Sequence, residues 1–408
     1  LLDARKGFIN KRALVCINMS PLQAITKAYG FNYTQALLKK TADMLSRYCT
    51  NNHLLFNTYA DRFVFYLKEY KDKNELHMFC KDLAYTLESV LKPEKGSCAI
   101  GTIEFAPEEN LNADLLLKKV LIASEKALDL NDKDFNICFY DADMEVQVIR
   151  EEDIKQELAQ IADGENNGRL FLQYQPILDL KSNQICGFEA LARLKSDKWG
   201  MVPPLEFISI AEKTRLIVPL GQEIMKQAFL FLNKLQEKGY GTINVSINVS
   251  TIQILREDFA DTLFKTINEM QVSAQNIGIE LTESVFSANY EEINSIIGKL
   301  KEAGIHTAID DFGTGYSSIA KERELNVNCL KIDKYFIDEL LEIQPEKAVT
   351  SDIISMAHKM GHCVVAEGVE HETQKQYLMD YGCDKIQGYL ISRPLDEQAA
   401  IEFLQNKS

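Results

Sequence analysis

No apolar run in this chain approaches the ~18 residues that a membrane-spanning helix needs. No basic-then-apolar stretch of the signal-peptide kind opens it either. The expected location is therefore the cytoplasm. The first residue is Leu1, not Met, so the expectation includes a longer protein with an upstream sensor or membrane segment. Basic residues are in deficit: 45 Lys and Arg stand against 60 Asp and Glu, a formal net charge of −15. Such a field repels a long nucleic-acid duplex and excludes it as a partner. It still admits a small anion whose charge is offset locally, and it also serves plain solubility.

Cys-x-x-Cys pairs are absent among the nine Cys, an odd number. The cysteines sit mostly in apolar stretches, as at Cys16, Cys138, Cys329 and Cys363. They read as reduced core residues, with no disulfide framework or zinc ribbon. Histidine is scarce, with six in all. His358 and His362 are four apart, but Gly361 lies between them where helix gives way to strand, so they share no helical face and no zinc pair is expected. The run Asp310–Ser318 carries two Gly yet matches neither the Walker spacing nor the dinucleotide fingerprint.

What is present divides into two rhythms. A chain of 408 residues, 46% of them hydrophobic, is too long for one ordinary core. In the first part, strands are expected at Ala13–Met19, Leu54–Thr58, Arg62–Leu67, Cys98–Phe105 and Phe135–Tyr140. Helices are expected at Tyr33–Tyr48, Asn74–Leu91 and Asn112–Leu130. This order suits an α+β sandwich on one antiparallel sheet. The charged stretch Asp141–Gly164 reads as a linker helix, with the domain boundary near Val148. That gives domains 1–147 and 148–408.

The second part repeats a short apolar strand ending in a polar residue, then an amphipathic helix. Strands are expected at Phe171–Ile177, Ile185–Leu191, Thr242–Val249, Ile277–Leu281, His306–Ile309, Cys329–Ile332, Cys363–Ala366 and Lys385–Gln387. Helices such as Pro219–Lys238, Tyr290–Ala303 and Pro345–Met360 lie between them. Such alternation over about 250 residues suggests an α/β chain with a (β/α)8 barrel.

Barrel enzymes carry their chemistry at the C-terminal strand ends. Here those ends hold Glu189, Asn248, Glu280, Asp310, Asp311, Lys331, Glu367 and Gln387. One carboxylate there reads as a solvated strand end, since burying it unpaired is costly. Five carboxylates, two amides and a Lys at matching ends point instead to a metal site. Oxygen donors without His or Cys suit Mg²⁺ or Mn²⁺. Their number suits two ions sharing a carboxylate, a device for in-line displacement at phosphorus with the ions about 4 Å apart. Lys331 would add a fixed positive charge or hold the attacking water.

At these residues the chain resembles the EAL phosphodiesterase family. The resemblance rests on Glu189-Ala190-Leu191-Ala192-Arg193, Tyr174-Gln175-Pro176-Ile177, Glu280-Leu281-Thr282-Glu283-Ser284, Asp310–Ser318, Lys331-Ile332-Asp333, Ala366-Glu367-Gly368-Val369-Glu370 and Gln387-Gly388-Tyr389. It implies a modified TIM barrel with one strand reversed, and hydrolysis of cyclic di-GMP to linear pGpG. Glu189, Asn248, Glu280 and Asp310 match the ligands of one ion. Asp310, Asp311 and Glu367 match those around the second ion and the nucleophilic water. Lys331 matches the Lys that positions that water, and Glu367 the general base. Glu283 matches the Glu that holds the loop from Asp311 to Ser318. Gln175, Leu191, Arg193 and Gln387 match positions that contact substrate or water. A homodimer is expected from the family. Two departures stand out: Arg215 replaces a usual Gly, and the charged run Lys321-Glu322-Arg323-Glu324 follows Ser318 where the family has an apolar helix of the dimer contact.

The N-terminal half resembles a GGDEF (diguanylate cyclase) domain, a fold of the nucleotide-cyclase palm type, in decayed form. Tyr59-Ala60-Asp61-Arg62-Phe63 fills the signature turn, and Asn18 and Ser20 replace Asp residues. Thr26 and Gln35 stand at nucleotide-contacting positions, while Thr50 and His53 replace the product-inhibition motif. Only Asp61 keeps an acidic ligand, and two-metal nucleotidyl transfer needs more than one. The expectation is a structural or dimerising module, with GTP sensing as the functional alternative. For the barrel, the alternatives are a cyclic di-GMP receptor that does not hydrolyse and a phosphoesterase of another substrate.

Overall fold

The structure, a computed structural model, describes residues 11–19, 22–59, 62–91, 98–106, 112–128, 136–283, 285, 289–313, 325–342 and 347–407. Ser20, Ala60, Asp61, Ser284, the run from Thr314 to Ser318 and the charged run after it lie outside the described residues. The chain divides into two compact units, Leu1–Glu151 and Glu152–Ser408. The division falls inside one continuous helix, Ala142–Ala162, a little beyond Val148.

In the first unit, β1 (Lys11–Asn18) is the middle strand of a five-stranded sheet with β2 (His53–Tyr59), β3 (Arg62–Tyr70), β4 (Ala99–Phe105) and β5 (Asn136–Phe139). Side chains alternate across a strand, so one strand can serve two cores. Val15 and Ile17 pack with Phe65 and Leu83 on one face, and Cys16 packs with Val64, Ile103 and Val120 on the other. The expectation of one antiparallel sheet is corrected at its edge, because β5 pairs with β4 in parallel. A parallel neighbour needs a crossover, and the helix Ala113–Leu128 supplies it. A helix at Leu22–Tyr29 was not expected; it is short and ends at Gly30, whose φ is 86°.

Gly101 sets how closely the helix Ala113–Leu128 approaches the sheet. A Cβ there would lie 2.1 Å from the backbone nitrogen of Ser124 and 2.6 Å from the carbonyl oxygen of Val120. Backbone cannot yield as a side-chain tip does. Gly101→Ala is therefore expected to destabilise this unit by about 1–3 kcal/mol, read as a lowered midpoint in urea unfolding.

In the second unit, eight strands close a barrel: β6 (Leu170–Asp179), β7 (Gln184–Ser196), β9 (Asn244–Asn248), β10 (Ile277–Thr282), β11 (His306–Phe312), β12 (Cys329–Ile332), β13 (Cys363–Ala366) and β14 (Lys385–Gln387). β6 runs antiparallel to both β7 and β14, so one strand of the barrel is reversed. The short β8 (Gly200–Val202), absent from the expectation, pairs with the end of β7. The expected helices appear at Ile217–Glu237, Tyr290–Glu302 and Thr350–Lys359. Strand residues such as Ile279, Leu281, Ile309 and Leu330 pack into the main core. Arg215 has a φ of 61°, the left-handed region that Gly enters freely, which explains why Gly suits that position. Among the described residues, no helix is long and apolar enough to cross a membrane.

Candidate active site

The site is assembled from strands that are distant in sequence but adjacent in register. Glu189 of β7 lies beside Gln175 of β6 and Ser246 of β9. Asn248 ends β9 opposite Glu280 of β10. Asp310 of β11 faces Thr282, Lys331 of β12 faces Val365, and Gln387 closes β14. Glu280 sits between Ile279 and Leu281, which face the helices; alternation therefore turns Glu280 into the barrel.

Lys331 stands at the centre. Its Nζ is 2.5 Å from Glu280 Oε2, 2.5 Å from Glu367 Oε1, 3.2 Å from Asp310 Oδ1 and 3.6 Å from Glu189 Oε2. Glu189 is also held by Asn248 Nδ2 at 2.7 Å and Gln387 Nε2 at 2.6 Å. Oxygens of Glu189, Glu280 and Asp310 lie within 4.8 Å of one another, as do those of Asp310, Asp311 and Glu367. Two overlapping oxygen sets that share Asp310 fit a pair of hard divalent cations.

Two adjacent Asp on a regular strand would point to opposite faces. The structure avoids this with a bulge: the β11–β12 register shifts between Ile309 and Phe312. Asp311 takes a φ of 54° there, a strained conformation for a residue with a Cβ. The next residues are secured by Glu283, whose Oε2 accepts from the Gly313 backbone N–H at 3.0 Å. A Cβ on Gly313, at φ 94°, would lie 2.7 Å from the Phe336 ring.

One ammonium against four carboxylates leaves the cluster with excess negative charge. Burial and the neighbouring Glu189 and Asp310 push Glu280 up to about 8, although Lys331 opposes this. Glu367 is raised well above the usual carboxylate range, chiefly by burial. Asp311 is pushed up to about 6 by burial, Asp310 and Asp333. Glu189 goes the other way: burial raises it, but Lys331, Gln387 and Asn248 together outweigh that. The contrast between Glu189 and Glu280 follows from the two amide donors that only Glu189 has. Burial lowers Lys331, but the surrounding carboxylates dominate and hold it well above its ordinary value.

Glu280 and Asp311 keep protons in the folded chain that the unfolded chain has already released. Their contribution to stability is full below about pH 4 and is lost as pH rises through about 6 and then about 8. In EDTA, these groups are expected to lower the melting temperature as pH rises across that window. Stabilisation by added Mg²⁺ should grow over the same window, because ligand oxygens must shed protons to bind it. Melting curves at pH 5.5 and 8, with and without Mg²⁺, check both slopes.

The expected substrate-side residues also gather here. Gln175 Oε1 accepts from Gln387 Nε2 at 3.1 Å, and Gln175 Nε2 donates to the Ser392 carbonyl at 3.2 Å. Half-buried Leu191 lies opposite Gln173 on β6. Gln173 Oε1 accepts from Arg193 Nε at 2.7 Å, a positioning contact the sequence analysis missed; its period-2 spacing from Gln175 was the available signal. Asp333 was also missed as a site neighbour. It caps the helix Lys334–Asp338 through Tyr335 N–H and raises Asp311. Its offset of two from Lys331 marked it.

Comparison with known proteins adds three findings. The family model for the EAL domain matches residues 156–394, and that for the diguanylate cyclase GGDEF domain matches residues 5–133. The signaling protein YkoW of Bacillus subtilis is 30% identical over 394 residues, which are 95% of this chain and 48% of that protein. Cyclic di-GMP phosphodiesterase NbdA of Pseudomonas aeruginosa is 27% identical over 398 residues, 96% of this chain and 50% of that protein. The chain thus spans about half the length of these curated relatives. Among solved structures, the PaMucR phosphodiesterase in complex with c-di-GMP is 31% identical. The match covers 60% of this chain and 99% of that one, with a TM-score of 0.56.

Proposed function

We propose, for a chain that belongs to the EAL domain family and whose N-terminal residues match the GGDEF domain, that the barrel hydrolyses cyclic di-GMP to linear 5′-pGpG with two Mg²⁺ or Mn²⁺ ions. The observation that carries this reading is the pair of oxygen clusters joined through Asp310. Glu189, Asn248, Glu280 and Asp310 would hold one ion, and Asp310, Asp311 and Glu367 the other. Such ions, when bound, lower the pKa of a coordinated water and offset charge on phosphoryl oxygens. Lys331 remains an ammonium in this setting and orients the attacking water. Glu367 takes up that water's proton. Gln175, Leu191, Arg193 and Gln387 bind and orient the dinucleotide, and Glu283 holds the loop after Asp311. The naming of NbdA as a cyclic di-GMP phosphodiesterase and the PaMucR complex with c-di-GMP support this substrate.

The N-terminal unit acts in this reading as a structural or regulatory module without cyclase activity. Asn18 is an amide, only 3% exposed. The Thr26 hydroxyl donates to the Leu22 carbonyl at 2.8 Å and meets Thr34 Oγ1 at 3.0 Å, so it is engaged within its own helices. Arg62 pairs with Glu125 at 3.0 Å. A homodimer belongs to the same reading and is checked by light scattering; GTP binding is checked by calorimetric titration.

The deciding experiment incubates the chain with cyclic di-GMP and either Mg²⁺ or Mn²⁺, followed by chromatography. The expected product is pGpG, and GTP is expected to yield no cyclic di-GMP. Tight binding without turnover in both metals would overturn hydrolysis and leave a receptor.

A further inference from the structure

We propose that Cys363 and Cys329 form a thiol–disulfide exchange site inside the barrel, at the end opposite the acidic cluster. Cys329 opens β12 and Cys363 opens β13, and the two are direct register partners. Neighbouring strands lie about 4.7–4.9 Å apart, within the Cα separation of about 4.4–6.8 Å that a disulfide spans. Both side chains face inward, in a small cluster with Ile177, Val365, Ala308 and Cys186. Cys329 lies two residues before Lys331 on the same strand, so the two share a face. The thiols, with Cys186 and Lys385, line a cavity of about 100 Å³ that reaches Glu280 and Lys331 on its far side.

The two cysteines differ in access. Cys329 is only 8% exposed, whereas Cys363 is half-buried. A neighbouring depression of about 530 Å³ shares Asn244, His306 and Asn328 with the cavity. Lys385 of β14, in register with Val365 of β13, sets a positive charge beside the thiols. The Cys329 thiol, and then Lys385, hold Cys363 below its ordinary range against the effect of burial. Asp384 opposes this, but its Oδ2 is engaged by Val364 N–H and His358 Nε2, both at 2.8 Å. Contact with Cys363 and burial hold Cys329 well above its own ordinary value.

These asymmetries assign the roles. The Cys363 thiolate attacks one sulfur of a small disulfide such as oxidised glutathione; that S–S bond breaks and one thiol leaves with a proton. Cys329 then gives up its proton and attacks Cys363 Sγ, displacing the second thiol. The protein's two thiols lose two electrons and two protons, and the small disulfide gains both.

The test equilibrates the full chain across ratios of oxidised to reduced glutathione, blocks free thiols with N-ethylmaleimide and maps the peptides by mass spectrometry. Exposed Cys49 serves as the internal reference. The expected result is a Cys329–Cys363 cross-linked peptide that grows with the oxidised fraction and disappears with dithiothreitol. Cys329→Ser should instead accumulate a glutathione adduct on Cys363. Lys385→Met should slow iodoacetamide labelling of Cys363 several-fold and leave Cys49 unchanged. The proposal is overturned if Cys363 stays fully maleimide-labelled at ratios that oxidise Cys49, or if the cross-link forms to Cys186 instead. No readout involves cyclic di-GMP, so the result stands apart from the proposed hydrolysis.

Discussion

Glu189→Ala is expected to lower turnover of cyclic di-GMP by about 10²–10⁴-fold, corresponding to roughly 3–5 kcal/mol of transition-state stabilisation. Glu189 is 5% exposed, and both of its oxygens are engaged, one by Asn248 and one by Gln387. Its loss removes one carboxylate of the first oxygen set and also frees the two amide donors that hold it. Glu189→Gln separates these effects, because it keeps the shape and loses the charge. Both variants should need more Mg²⁺ or Mn²⁺ for half-maximal rate. Steady-state kinetics over a metal titration is the measurement, and wild-type turnover in Glu189→Ala would refute the assigned role.

Lys331→Met should cost stability as well as activity. Lys331 is 1% exposed and touches four carboxylates. Removing one partner from a buried ionic group costs about 3–5 kcal/mol, because the remaining charges lose their compensation. The metal-free variant should therefore melt well below the parent. The deficit should be smaller at pH 5.5 than at pH 8, since the raised carboxyls can hold protons at the lower pH. Added Mg²⁺ should recover much of it, because a divalent cation restores the missing positive charge. Turnover should stay low even when stability is restored, because the proposed mechanism uses this ammonium to orient the attacking water. A metal-free variant that melts like the parent at pH 8 would show that Lys331 does not balance this cluster.

Much of the barrel was legible in the chain because short strands buried beneath helices read as apolar runs. β12, β13 and β14 have the expected bounds. Glu189, Glu280 and Lys331 were visible because each interrupts such a run, and burial of an unpaired charge needs a reason. Less was legible where local signals are weak. The Leu22–Tyr29 helix and β8 are too short for periodicity to mark, and the parallel placement of β5 depends on a crossover rather than on its own residues.

The order of residues alone determined which side chains stand at strand ends, and hence the oxygen-only chemistry of the site. Tertiary structure decided the rest. The bulge at Asp310 and Asp311 turns two neighbours to one side. The closure of β6 against β14 brings Gln175 to Gln387, and Lys331 takes its place among acids from four other segments. The physical reason is one of range: burial and alternation act over a few residues and can be read along the chain. Register, strand reversal and charge balance are set by contacts between segments far apart in sequence, and these exist only once the barrel has closed.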